Sequence, residues 1–160
     1  YSIITLMAIA MLFPITAFAQ AYVQTWDLVD SGKHLDYDKN STYMSYINTG
    51  AATWNAYKSG VIRKDSAFVV EDVYVSDVNA SNGWAGMTYS SGKIELNTYY
   101  MSGYSNSKKQ NVATHELGHA LGLDHSTSTD VMDAAITGHT STQALSQNDK
   151  DSYDAAYNNY

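Results

Sequence analysis

The spacing of apolar residues changes along the chain, and each change marks an element. Ile3 to Phe13 is a near-continuous apolar run broken by Pro14, and Ala17-Phe18-Ala19 then places small residues at the two positions a signal peptidase reads. We read residues 1–19 as a secretory signal peptide cut before Gln20. The run is short for a membrane span, and no second apolar stretch follows. An uncleaved anchor is the rival reading. The chain opens at Tyr1 with neither Met nor a basic n-region, so further residues are expected before it.

Residues 20–38 are polar, with Asp27, Asp30, Asp36 and Asp38 and an interrupting Gly32. They read as an extended lead-in holding at most one short strand. Residues 39–160 read as the folded domain. Asn40-Ser41-Thr42 offers a helix cap, after which Tyr43, Ile47, Ala51, Trp54 and Tyr57 recur at helical spacing. This predicts a first helix over 42–58, ended by Ser59-Gly60. Phe68 to Val70 and Val73 to Val75 are β-branched and aromatic, which suits strands. Trp84 to Tyr89 and Lys93 to Thr98 read as a hairpin around Ser90-Ser91-Gly92. Tyr99 to Lys109 reads as a polar connection and Asn111 to Leu121 as a second helix. Ser146 to Tyr157 reads as a third, with Ser146 as its cap and Asp149 in its first turn.

Composition narrows the function classes. A chain of 160 residues, 44% hydrophobic, suits one domain with a real core. Net charge is -7, and the basic residues are scattered, so no basic face exists to displace phosphate counterions. Nucleic acid is therefore not an expected partner. Cysteine is absent, which excludes disulfides and thiolate metal sites. A monomer without stable membrane association after signal cleavage is expected.

The chemistry lies in His115-Glu116-Leu117-Gly118-His119-Ala120-Leu121-Gly122-Leu123-Asp124-His125. Residues four apart on a helix sit about 40° apart around its axis, so His115 and His119 present two imidazoles side by side. Glu116 is one step round, beside the metal without binding it. Gly122 can take the left-handed conformation that stops a helix and turns the chain. That turn returns His125 as a third ligand. Three neutral histidines leave a zinc ion one open position for water, the mark of a catalytic site. Glu116 is the base expected to take that water's proton as it attacks a carbonyl. His34 and His139 read as solvent-facing loop residues.

The run His115 to His125 resembles the metzincin signature, with Met132 as the candidate Met-turn residue. Within that group the chain looks like the matrixins, the matrix-metalloproteinase-like branch. Ser126 follows the motif as it does there, and Leu145-Ser146-Gln147-Asn148-Asp149 with Tyr153 and Tyr157 is similar to the C-terminal helix. Gly83 to Tyr89 looks like the edge strand along which an extended substrate pairs. The resemblance implies an α+β fold: a twisted, mostly parallel sheet with an antiparallel edge strand, an active-site helix and a C-terminal helix. It also implies a secreted zinc endopeptidase, with zinc on His115, His119 and His125 and Glu116 catalytic.

The chain departs from the matrixin pattern at several positions. The ligands of the matrixin structural zinc have no match around Val75 to Met87, so one zinc is expected. Calcium is doubtful, because Asn97 stands where the family's pattern calls for an Asp. Asp133 and Ala134 follow the Met where matrixins usually carry Tyr-Pro. A small-peptide peptidase or amidase is the rival enzyme, and a zinc-dependent binding module the rival non-enzyme. An Asp of the lead-in (Asp27, Asp30 or Asp36) occupying the open metal position is a further expectation, set against plain solvation.

Overall fold

The computed structural model describes residues 20–66 and 70–160. The first strand is β1 (Leu35–Asn40), followed by helix α1 (Met44–Asn55). Strands β2 (Ile62–Lys64), β3 (Val73–Val78), β4 (Gly86–Tyr89) and β5 (Lys93–Asn97) come next. Helices α2 (Thr98–Met101), α3 (Asn106–Ala120) and α4 (Gln147–Tyr157) complete the set, with a 3-10 turn at Ile136–Gly138. The sheet runs β2-β1-β3-β5-β4, parallel throughout except for the antiparallel pair β4 and β5. This is the mostly parallel sheet with an antiparallel edge that the resemblance implies.

The core follows from alternation in the central strands. Val73 and Val75 of β3 and Ile94 and Leu96 of β5 are fully buried, as period-two side chains facing one layer must be. Helices α1 and α3 pack against each other, and Trp54 Nε1 donates to the Thr114 carbonyl at 2.9 Å. That bond satisfies the indole inside the apolar layer and fixes α1 against the helix that carries the motif.

Several elements differ from expectation. Helix α1 starts at Met44 with no side-chain cap of its own. Instead Asp77 of β3 accepts from the Thr42 amide at 2.8 Å and from the Ser41 and Thr42 hydroxyls. The signal for the helix start was therefore distant in sequence. Helix α3 begins five residues before Asn111, at Asn106, because Ser105 caps it by accepting from Lys108 N at 3.3 Å. The segment read as a polar connection also holds α2, capped by Asn97. The strand expected at Phe68 to Val70 falls mainly outside the described residues, as does the signal peptide at 1–19, and Val70 itself is not in a strand. Among the described residues no helix is long and apolar enough to cross a membrane.

Candidate metal centre

Helix α3 carries His115, Glu116 and His119, and its end supplies the turn to His125. Gly122 sits at φ +85°, the left-handed region that a Cβ disfavours. Its amide donates to the His119 carbonyl at 2.9 Å, and the Leu123 amide donates to the Gly118 carbonyl at 3.0 Å. These two bonds close the helix as a Schellman cap. His125 then lies between two backbone tethers. Val23 bridges Leu123 on one side, and Ser126 bridges Asp133 on the other.

One ring nitrogen from each of His115, His119 and His125 lies within 4.8 Å of the others. His119 Nε2 and His125 Nε2 are 3.2 Å apart, close to the roughly 3.3 Å edge of a tetrahedron with zinc–nitrogen bonds of about 2.05 Å. The other nitrogens are set from behind. His115 Nδ1 faces the Val131 carbonyl at 2.8 Å, and His119 Nδ1 faces the Leu123 carbonyl at 2.9 Å. A carbonyl can only accept, so each Nδ1 carries the proton and each Nε2 lone pair is free for a metal. Burial pushes the His115 imidazole down to about 3 and the His119 imidazole down to about 4, so both are neutral donors at neutral pH. The donor set fits zinc.

Glu116 is buried beside this cluster. Its carboxylate faces the Thr88 hydroxyl of β4, with Oε2 2.7 Å from Oγ1. Burial pushes its carboxyl up to about 7, against the opposing pull of that hydrogen bond. A cleft of about 480 Å³ opens over His115, Glu116, His119 and His125. Trp84, Ala85 and the β4 residues Gly86, Met87 and Thr88 form one side, and Ala134, Ile136 and Thr137 form the other. β4 is an edge of the sheet, because β5 is its one neighbour among the described residues.

Met132, 1% exposed, packs against the motif helix at Gly118. A Cβ on Gly118 would lie 2.3 Å from its sulfur and 2.9 Å from Trp54. Gly118 is thus a packing requirement of the thioether. The motif reading gave it no role of its own. Gln24 was also missed. Its side-chain amide stands 2.9 Å from His119 Nδ1, and its Oε1 is buried without a hydrogen-bond partner among the described residues. Turning that amide over would bring Oε1 to the Nδ1–H. No local sequence pattern signals a residue that acts from 95 positions away.

His139 is not a free loop residue: its Nε2 lies 2.7 Å from Asp133 Oδ2, clipping the loop that walls the cleft. His34 is half-exposed, with Asp30 at 3.7 Å. Asn97 is fully buried. Its amide donates to the Ala80 and Trp84 carbonyls and its Oδ1 accepts from the Ala80 and Tyr99 amides. The lead-in aspartates do not line the cleft. Asp27 accepts from the Val29 amide, Asp30 from the His34 amide, and Asp36 pairs with Arg63.

A mostly parallel sheet with an antiparallel edge strand above a histidine-bearing helix defines a metzincin-like metalloprotease fold. The matrixin family model matches residues 15–158, and the chain belongs to that family. It is a zinc metalloprotease. Among solved structures it is similar to the archaemetzincin of Methanopyrus kandleri, at 12% identity and a TM-score of 0.57, covering 81% of this chain and 99% of that one. A second similar structure is the GM1-bound ECX AB5 holotoxin, at 18% identity and a TM-score of 0.44, covering 68% of this chain and 59% of that one. No curated protein matches the chain significantly.

Proposed function

We propose that the protein is a secreted endopeptidase that cleaves extended polypeptides in extracellular proteins. His115, His119 and His125 are the zinc ligands of this reading, and Glu116 is its general base. The observation that carries it is the convergence of three ring nitrogens within 4.8 Å beside a buried carboxylate. When bound, zinc supplies Lewis acidity to the scissile carbonyl and to the attacking water.

The chain's own groups do the rest. The edge of β4 offers unpaired backbone groups to a substrate strand, which orients the peptide across the cleft. Glu116 accepts the proton of the attacking water and can return it to the departing amine. An edge open along β4 favours a long substrate over a dipeptide. Secretion rests on the apolar run of Ile3 to Phe13 and the Ala17-Phe18-Ala19 site.

Replacing Glu116 with Ala should leave zinc stoichiometry intact and reduce peptide hydrolysis by at least about a hundredfold. Zinc content by mass spectrometry and cleavage of a long fluorogenic peptide check this. Hydrolysis surviving at the parent rate would remove Glu116 from the chemistry.

A further inference from the structure

Strand β4 does more at this site than present an edge. Thr88 Oγ1 lies 2.7 Å from Glu116 Oε2 and 2.9 Å from the Glu116 backbone carbonyl. The hydroxyl has one proton and two acceptor lone pairs, so it can donate to one of these groups at a time. Two residues earlier on the same strand, Gly86 faces the other carboxylate oxygen. A Cβ there would stand 2.6 Å from Glu116 Oε1 and 2.7 Å from its Cγ. One oxygen is held by a hydroxyl, and the other has room only because the strand is bare opposite it.

We propose that Thr88 is a positioning residue for Glu116, fixing the carboxylate's direction from β4, with Gly86 providing the space that direction needs. The proposal rests on Glu116 being the base. Before the proton transfer the hydroxyl donates to Oε2. When Glu116 takes the proton from water it does so on Oε1, and the hydroxyl goes on donating to Oε2. No other group is needed, and no proton is gained or lost by Thr88. The same strand thus sets the register of the substrate and the direction of the base.

The test compares Thr88→Val, Thr88→Ser, Gly86→Ala and Glu116→Ala in the zinc-loaded full chain, on one long peptide. Thr88→Val keeps the shape and removes the hydroxyl. It should lower kcat about tenfold to a hundredfold. KM should move by less than about threefold, and zinc affinity by chelator competition should stay at the parent value. Thr88→Ser should recover most of the lost rate. Gly86→Ala should lower kcat with Thr88 intact, which tests the arrangement even if the valine variant folds poorly. An unchanged kcat in Thr88→Val, or in Gly86→Ala where the valine variant does not fold, overturns the proposal. So does a serine variant as slow as the valine one, or a fall in zinc affinity that accounts for the lost rate. Glu116→Ala separates the two readings. If it stays active, the base assignment fails. If it is inactive while Thr88→Val is fully active, only the role of Thr88 fails.

Discussion

At the scale of single residues, the site is a place where the fold gives up stability. Glu116 is buried, and its carboxyl is pushed up to about 7 from an ordinary 4.5. The folded state therefore binds its proton more tightly than the unfolded chain does. That contribution is fully present below about pH 4.5 and is lost as pH rises through about 7. At pH 8 the buried charge costs up to about 3 kcal/mol in the metal-free protein. Glu116→Gln removes the charge while keeping the shape. The chelated variant should melt above the chelated parent at pH 8, and the two should converge near pH 4. Parallel melting curves in EDTA across that range check it, and equal midpoints at pH 8 would refute it. The motif residues were legible in the sequence because their roles depend on helical spacing and one turn, both local. Thr88, Gly86 and Gln24 were not, because each acts on the motif through a contact formed only when distant elements meet. Nothing in Gly86-Met87-Thr88 distinguishes a threonine facing a carboxylate from one facing any other buried partner.

At the scale of elements, the C-terminal helix is a support for the metal centre. Asp149 sits in the first turn of α4, fully buried, inside a capping box with Ser146. Its carboxylate also accepts from the Val131 and Met132 amides, at 2.9 and 3.1 Å. Val131 in turn offers its carbonyl to His115 Nδ1. The path runs from a helix cap to a peptide unit to the His115 ring. Asp149→Ala would leave these amides buried without an acceptor, at about 1–3 kcal/mol each. The variant should lose about 3 kcal/mol or more in urea unfolding and bind zinc about tenfold more weakly. Unchanged zinc affinity in a destabilised variant would confine Asp149 to a folding role. The cap was readable from Ser146 and Asp149 alone, since a capping box is a local pattern. Its second use was not, because the same oxygens serve a turn 17 and 18 residues away. The start of α1 shows the converse, with Asp77 of β3 doing what Asn40-Ser41-Thr42 was read as doing alone.

At the scale of the whole molecule, the segment before β1 acts as a strap across the end of α3. The Gln24 amide donates to the Gly122 carbonyl at 2.8 Å, and the Asp124 amide donates to the Tyr22 carbonyl at 2.9 Å. The Leu28 amide donates to the Ala120 carbonyl at 2.9 Å, and Val23, Leu28 and Val29 pack against the core. These bonds hold the stretch that runs from the helix cap to His125, the most exposed of the three clustered histidines. Cutting the chain before Leu35 keeps all five strands but removes the strap. A mobile His125 must be ordered on metal binding, and that ordering opposes affinity. The shortened chain should therefore bind zinc more weakly and show a smaller rise in melting temperature at the same free zinc, since stabilisation by a ligand follows its affinity. A latency segment would add a metal ligand and so differs in another readout, with the shortened chain more active at equal zinc loading. The aspartates that such a segment would use are engaged with Val29, His34 and Arg63, away from the cleft lining. Peptide cleavage at equal zinc loading, beside zinc titrations followed by melting, on chains starting at Gln20 and at Leu35, decides between a strap and a plug.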